Sequence, residues 1–243
     1  MELSCSTCCI PEYKLDKDLE LFSSAGYKYF ETFTTWTGGI LDVHKVDKKE
    51  VKNKLEKYNI KLSSLNIENF VAEDETSFNA RLERQKHNIH WAIELGCGKI
   101  NFKGGKRTEA DMQNLIKGTK ELAEYCEDLP VELCLANHHG NRIENIEDLD
   151  IILSWIDHPK VGILVDIGHY FSSQVDIPAL IKKHGSRIKL VHTKDQIGKQ
   201  SVPFGEGEID NQGLLKMVHD IGYDDFIVVE IEVKDKENTP QYI

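Results

Sequence analysis

Three features that mark membrane, secreted or nucleic-acid-binding proteins are missing from the sequence. No apolar run approaches the roughly 20 residues needed to span a bilayer. The first residues lack a basic region followed by an apolar stretch, which predicts no secretory signal. Basic residues are in the minority, with 30 Lys and Arg against 41 Asp and Glu and a formal net charge of −11. We therefore expect neither a membrane nor a nucleic-acid partner.

The sequence also lacks a disulfide framework and a zinc motif. Three of its six cysteines, Cys5, Cys8 and Cys9, lie in the first nine residues, and the other three are scattered. Small secreted domains have denser and regularly spaced cysteines, and zinc motifs need a second ligand pair at a defined spacing. We interpret the cysteines as reduced residues of a cytoplasmic protein, buried for structural reasons.

No stretch rich in Pro, Gly or Ser divides the chain, and no segment is of low complexity. The 243 residues therefore predict a single domain spanning residues 1–243. That length suits an α/β barrel, which often contains about 200–250 residues.

Short apolar runs alternate along the whole chain with longer segments of helical periodicity. Eight runs read as strands: 2–7, 28–33, 61–67, 99–103, 131–136, 161–166, 188–192 and 226–231. The segments between them carry apolar stripes at helical spacing, such as Phe78, Leu82, Ile89 and Ala92, and Asp210 is a plausible N-cap for the last one.

Eight strands alternating with helices predict a closed (β/α)₈ TIM barrel or a long doubly wound sheet. No G-x-G-x-x-G follows the first strand, which disfavours the second fold. After the eighth strand only residues 232–243 remain, too short and too charged for a full eighth helix. We expect that tail or a partner subunit to cover the exposed strand flanks, with a homodimer favoured.

Titratable residues collect where the predicted strands end, the rim on which barrels build their sites. Asp166, His192 and Glu230 end the sixth, seventh and eighth strands. Each could be an N-cap, a hydrogen-bonded structural residue or a surface group, but together they suit a divalent cation such as Mn²⁺, Zn²⁺, Co²⁺ or Mg²⁺. Other polar residues at or near strand ends are Glu31, Lys103, Asn137, His138, His169 and Lys194.

Several motifs resemble those of the sugar phosphate isomerase/epimerase superfamily, which has the xylose isomerase-like TIM barrel of the AP endonuclease family 2 type. They are VDIGH (165–169), VHTKD (191–195), PFGEGEID (203–210) and GYDDFIVVE (222–230). Ser6-Thr7, AGYKYFE (25–31) and LANHHG (135–140) also match, so the resemblance covers nearly the whole chain.

The resemblance implies one metal ion held by a Glu, an Asp, a His and a Glu at the ends of the fifth to eighth strands. The last three match Asp166, His192 and Glu230, and the His169 position usually contacts substrate. Where relatives read L-E-N-H, this chain has Ala136, which removes one ligand and one of the two acid/base groups of the epimerases. We expect weaker metal binding, with His138 or water in the vacant position.

The endonuclease IV branch of the superfamily is disfavoured. Its three zinc ions need a His on the fourth strand, where this chain reads Asn101-Phe102-Lys103, and an Asp-x-His where it reads Gln200-Ser201-Val202.

The expected function is a metal-assisted isomerase or epimerase of a small sugar, sugar phosphate, keto-sugar or cyclitol, which acts by removing a proton next to a carbonyl. Glu230, His169 and Lys103 are the catalytic candidates, and His138, Asn137, Glu31 and Lys194 are the substrate-binding candidates. Two alternatives remain open: a lyase or dehydratase, and an impaired sugar-binding relative, which Ala136 would favour.

Overall fold

Eight parallel strands close into a barrel in the computed structural model, which describes residues 1–42 and 44–243. The barrel strands are β1 (Glu2–Ser6), β2 (Tyr29–Phe33), β3 (Lys61–Asn66), β4 (Lys99–Lys103), β5 (Glu132–Ala136), β6 (Val161–Asp166), β7 (Ile188–Thr193) and β10 (Phe226–Val229). Each pairs with its chain neighbour in the barrel, and β10 closes the circle against β1. The predicted TIM barrel is confirmed.

Helices follow the strands. They are α1 (Leu15–Ser24), α2 (Lys48–Tyr58), α3 (Glu75–Glu94), α4 (Glu109–Tyr125), α5 (Ile146–Trp155), α6 (Ile167–Ser172), α7 (Ile177–His184), α8 (Asn211–Asp220) and α9 (Thr239–Tyr242). The predicted apolar stripe of Phe78, Leu82, Ile89 and Ala92 lies on α3. The side chain of Asp210 accepts a hydrogen bond from the Gly213 amide, which confirms it as the N-cap of α8. Between β7 and α8, strands β8 (Asp195–Ile197) and β9 (Gln200–Val202) form an antiparallel hairpin.

Three predicted strands end earlier than expected, the third of the barrel by one residue, at Asn66. The first gives way to a 3₁₀ turn at Thr7–Cys9. The last ends at Val229, because the amide of Ile231 donates to the sulfur of Cys9, 3.1 Å away, instead of to a neighbouring strand.

The segment after β10 contains only the single turn α9, as its length predicted. Ile231, Val233 and Thr239 in this segment are buried, and Tyr242 and Ile243 pack against the core. The tail therefore covers part of the gap left by the missing helix. Leu3, on the outer face of β1, remains 57% exposed. A homodimer that covers this flank stays a prediction.

The polar rim of the barrel follows from the two-residue period of a strand. Leu164, Leu190 and Val228 pack together in one apolar cluster. Residues two positions apart on a strand point to the same side. The next inward positions along β6 and β7 and just after β10 are therefore Asp166, His192 and Glu230, one layer closer to the carboxyl end.

All six cysteines are buried free thiols. Cys5 and Cys9 approach each other to 3.9 Å between their sulfur atoms. Burial raises the pKa of both thiols, as expected of structural cysteines. Among the described residues, no helix has the length and apolar character needed to cross a membrane.

Candidate functional site

His192 is the centre of a buried charged cluster at the carboxyl end of the barrel. Its Nδ1 atom lies 3.1 Å from Glu230 Oε1 and 4.0 Å from Asp166 Oδ2. On the opposite edge of the ring, Nε2 lies 2.9 Å from an oxygen of Glu31. Burial by itself lowers the pKa of His192, but the carboxylates of Glu31 and Glu230 outweigh it and raise that pKa to about 10.

Glu31 is fully buried, and both of its oxygens are engaged by protein groups. Oε2 accepts hydrogen bonds from Ser64 Oγ at 2.6 Å and Asn101 Nδ2 at 2.9 Å, and it faces His192. Oε1 accepts from Ser6 Oγ at 3.3 Å. These partners lie on β1, β3, β4 and β7, so Glu31 is held inside the barrel from four strands.

Lys194 is a fully buried ammonium surrounded by carboxylates. Its Nζ atom lies 2.5 Å from Glu230 Oε2, 2.8 Å from Glu232 Oε2 and 3.5 Å from Asp166 Oδ2. Burial opposes its charge, but these carboxylates outweigh burial and raise the pKa of Lys194. Burial likewise opposes the charge of Glu230, and the neighbouring Lys194 and His192 hold the pKa of that carboxyl well below its usual range.

The side-chain amide of Asn137 holds both the backbone N–H and the backbone carbonyl of Asp166. The amide of Asn137 accepts a hydrogen bond from the Asp166 N–H at 2.8 Å and donates to its carbonyl at 3.1 Å. The Asp166 carboxylate caps α6 by accepting from the His169 N–H at 2.9 Å. Its other oxygen lies 3.6 Å from His169 Nε2. One side chain therefore both starts the helix and faces the site.

His138 and His169 form a pair of neutral imidazoles beside Asp166. Their ring centroids are 3.8 Å apart, with the planes inclined by 37°. Burial, followed by the nearby ammonium of Lys103, lowers the pKa of His138. Burial, followed by Lys194, lowers the pKa of His169 strongly. Both rings keep an unprotonated nitrogen at neutral pH.

A cavity of about 430 Å³ opens over this cluster, a volume typical of small-molecule sites. Seven of the residues singled out in the sequence line it: Lys103, Asn137, His138, Asp166, His169, His192 and Glu230. Glu31 and Lys194 are not among the lining residues. These two, which the sequence suggested as substrate contacts, instead contact the side chains that do line the cavity.

The cavity also includes residues that the sequence did not indicate. Arg81 reaches it from α3, Trp36 from the loop after β2, Glu68 from the loop after β3, and Glu232 from the tail. Loops that follow barrel strands lie at the site, which is a signal that could have drawn attention to Trp36 and Glu68. Arg81 lies on a covering helix, and nothing in its local sequence sets it apart.

The donor chemistry of the cluster suits a divalent metal. One ligand atom each of Glu31, His192 and Glu230 lie within 4.8 Å of one another. Carboxylate and imidazole donors are the usual ligands of Zn²⁺ and Mn²⁺. Ala136 lines the same cavity from β5 and offers no donor atom.

The chain resembles an inosose dehydratase over a little more than half of that enzyme's length. The inosose dehydratase of Clostridium beijerinckii is 26% identical over 172 residues, which cover 62% of this chain and 56% of that protein. The chain thus matches little more than half of this curated relative.

Two solved structures share the complete fold. The crystal structure of the IOLI protein with a binding zinc atom superposes with a TM-score of 0.83 at 21% identity, over 100% of this chain and 95% of that one. The apo 3-keto-D-glucoside 4-epimerase YcjR from E. coli gives a TM-score of 0.82 at 13% identity, over 100% and 97% of the two chains.

The family model described as xylose isomerase-like TIM barrel matches residues 19–243. This match begins within α1 and includes every strand-end residue of the cluster except those on β1. The chain is therefore a member of the xylose isomerase-like TIM barrel family.

Proposed function

We propose that this protein is a metal-assisted enzyme that removes a proton next to a carbonyl group of a small polyhydroxylated substrate. The observation that carries the proposal is the layer of Asp166, His192 and Glu230 at the floor of the cavity. A structural neighbour with a binding zinc atom and a dehydratase relative support it.

We assign Asp166, His192 Nδ1 and Glu230 as the metal ligands, with Glu31 as a positioning residue. His192 has two nitrogen atoms on opposite edges, and only Nδ1 faces Asp166 and Glu230. Nε2 faces Glu31, which three other side chains already hold in place. A ligating histidine commonly donates its second N–H to such a carboxylate, which fixes the tautomer and the ring orientation. Glu31 would therefore act through His192, and its place in the same cluster would reflect that contact rather than a bond to the metal.

A bound Mn²⁺, Zn²⁺, Co²⁺ or Mg²⁺ would polarise the substrate carbonyl and stabilise the negative charge that develops on proton loss. Side chains of the protein would supply the base and the groups that orient the substrate. Both oxygens of Glu230 contact cationic groups, so Glu230 serves better as a ligand than as a base. His169 lines the cavity beside Asp166 and is unprotonated, and we assign it as the group that takes the proton, since the negative charge that forms on the substrate would raise the pKa of its imidazole during the transfer. His138, stacked on His169, would orient a substrate hydroxyl.

A dehydratase is the second candidate function, and Ala136 favours it. A two-base epimerase needs acid/base groups on both faces of the substrate, and β5 offers none at its inward end. Elimination of water requires a base next to the carbonyl and an acid for the leaving hydroxyl, and His169 could fill both roles from one side by taking the proton from carbon and passing it to the hydroxyl that leaves as water. The dehydratase name of the relative points the same way.

The test is hydrogen exchange in D₂O. The protein, supplied with excess Mn²⁺ or Zn²⁺, is incubated with inosose, small ketoses and keto-acids, and mass spectrometry follows deuterium uptake and loss of water. We expect deuterium uptake next to the carbonyl of at least one substrate, and His169→Gln should slow it by about 10²-fold or more. His139→Gln is the matched control, because His139 lies one residue beyond His138 and bonds Ser173 outside the cavity.

Absence of exchange in every combination of metal and substrate would contradict the proposal. Binding of a sugar without exchange would instead support the impaired sugar-binding relative. Exchange without water loss would favour the isomerase or epimerase, and water loss would favour the dehydratase.

A further inference from the structure

Lys103 is a half-buried ammonium in the cavity with no carboxylate partner. It ends β4, and its backbone N–H is fixed by Asn69 Oδ1 at 3.0 Å. Within residues 1–42 and 44–243, no carboxylate oxygen lies within 4.0 Å of its Nζ atom. Three other buried or half-buried lysines of the barrel do have carboxylate partners. Lys99 pairs with Glu132 and Asp225, Lys189 pairs with Glu132, and Lys194 pairs with three carboxylates.

Arg81 adds a second cation to the same side of the cavity. It projects from α3, and its side chain is 30% exposed. Its carboxylate neighbour, Glu68, lies 3.4 Å from Nη1.

Asp166, Glu230 and Glu232 form an acidic wall of the cavity on the β6–β10 side. On the β3–β4 side lie Lys103 and Arg81 together with Glu68, which pairs with Arg81, so among the described residues the ammonium of Lys103 is the charge without a partner there. A substrate that spans the cavity would present oxygen atoms for a metal to the first wall. It would present a negatively charged group to the second.

The usual phosphate-binding position of a TIM barrel is already filled from within the chain. Such a site uses backbone N–H groups of the loops after the seventh and eighth strands. In the segment after β7, Asp195 Oδ2 accepts from the N–H groups of Gly205 at 2.9 Å and Gly207 at 3.0 Å. Asp195 Oδ1 accepts from Gln196 at 2.9 Å. A Cβ atom on Gly207 would collide with this carboxylate, so the loop is shaped around Asp195, and these two N–H groups are not free for a phosphate.

We propose that Lys103 and Arg81 bind a carboxylate of the substrate, so that the substrate is an unphosphorylated polyhydroxy acid. This inference rests on the proposed function, which places the metal and the reaction at the acidic wall. A carboxylate would satisfy the ammonium of Lys103 by charge-assisted hydrogen bonds, and the guanidinium of Arg81 would add positive charge on the same wall. A neutral sugar or cyclitol could accept hydrogen bonds from these two groups but would leave their charge uncompensated.

Equilibrium binding of three probes tests the inference. Isothermal titration calorimetry with the Mn²⁺-supplied protein compares glucuronate, glucose 6-phosphate and myo-inositol at two salt concentrations. We expect glucuronate to bind at least about tenfold more tightly than myo-inositol, since one charge-assisted hydrogen bond is worth roughly a factor of ten, and more tightly than glucose 6-phosphate. Added salt should weaken glucuronate binding and leave myo-inositol binding unchanged.

Substitutions of single residues test whether Lys103 causes the preference for glucuronate. Lys103→Gln should lower glucuronate affinity about tenfold and leave myo-inositol affinity unchanged. Lys103→Arg, which keeps the charge, should restore most of the loss. Lys106→Gln is the matched control, because Lys106 is exposed three residues further on and does not line the cavity. Melting curves verify that each variant is folded.

Three outcomes would overturn the inference: equal affinity for glucuronate and myo-inositol, tighter binding of glucose 6-phosphate, or an equal loss in Lys106→Gln. The deuterium-exchange experiment tests the proposed function independently of these binding measurements. Charge-selective binding without exchange would leave the carboxylate site standing and remove the enzyme proposal. Deuterium exchange on neutral substrates, with equal affinity for charged and neutral probes, would support the enzyme proposal and remove the carboxylate site.

Discussion

The stem of Lys194 lies directly over the backbone of Gly168. A Cβ atom on Gly168 would overlap the Cγ and Cδ atoms of that side chain. The glycine in VDIGH and the lysine in VHTKD therefore depend on each other, although 26 residues separate them. Only a glycine in the first turn of α6 lets the ammonium reach Asp166, Glu230 and Glu232.

Replacement of Lys194 by Met should destabilise the fold by about 3 kcal/mol or more, because it leaves buried carboxylates without their cation. The loss should shrink with excess Mn²⁺, since a metal bound to the folded state supplies positive charge and stabilises it by mass action. Chemical unfolding in chelator and in Mn²⁺ measures both effects. Lys216→Met, at an exposed lysine paired with Asp220, is the control and should change little. Equal losses with and without metal would contradict the prediction.

Glu31→Gln should lower metal affinity about 10- to 100-fold without removing a ligand, because the amide orients His192 less well. Isothermal titration calorimetry with Zn²⁺ and Mn²⁺ measures the change. Glu206→Gln, at an exposed acid after β9, should leave the affinity unaltered. Unchanged affinity in Glu31→Gln would show that this carboxylate does not act through His192.

Ala136→Glu should strengthen cation binding, because it places a carboxylate on the inner face of β5 beside Asp166. In chelator the same change should lower the melting temperature, since like charges in a partly buried site repel and raise one another's pKa. Melting curves with a Mn²⁺ titration compare the variant with the parent. If the variant gains no affinity and melts alike with and without cation, the fifth strand is not directed at the metal.

Asp18 should make the fold less stable as the pH rises. Its carboxylate is buried under the backbone of Gly39, and neither oxygen has a hydrogen-bond partner in residues 1–42 and 44–243. Burial raises the pKa of Asp18 to about 8. An ordinary Asp in the unfolded chain releases its proton near pH 4. Between these values the folded state holds one more proton, so stability falls as pH rises.

Asp18→Asn removes that dependence. Its gain in unfolding free energy over the parent should be larger at pH 8 than at pH 5, by about 2–4 kcal/mol. Urea unfolding at the two pH values measures the difference. Glu20→Gln on the exposed face of α1 is the control. A gain that does not vary with pH would contradict the assignment.

A homodimer should form through the flank of β1 that the short tail leaves exposed. Leu3 is 57% exposed there, next to a tail that ends in the partly buried Ile243. Light scattering after size exclusion measures the mass. Leu3→Lys should shift a dimer toward monomer, whereas Ile151→Lys, at an exposed apolar residue on α5, should not. A monomer at all concentrations would contradict the prediction.

The sequence by itself determined the barrel and its polar rim. Strand and helix periods are local, so eight alternating units could be read from the chain, and so could the short tail after β10. The position of Asp166, His192 and Glu230 followed from the same local rule, because parallel strands of a barrel end on one rim. Seven of the residues singled out in this way line the cavity.

Only the tertiary structure decided which of these groups face each other. Glu31 and His192 lie 161 positions apart, and their contact depends on barrel closure and on the shear between strands. The same holds for Lys194, which pairs with three carboxylates, and for Lys103, which pairs with none in the described part of the chain. Arg81 reaches the cavity only because α3 packs where it does. Pairing and burial set the charge of each group, and both arise from contacts between segments that no local pattern relates.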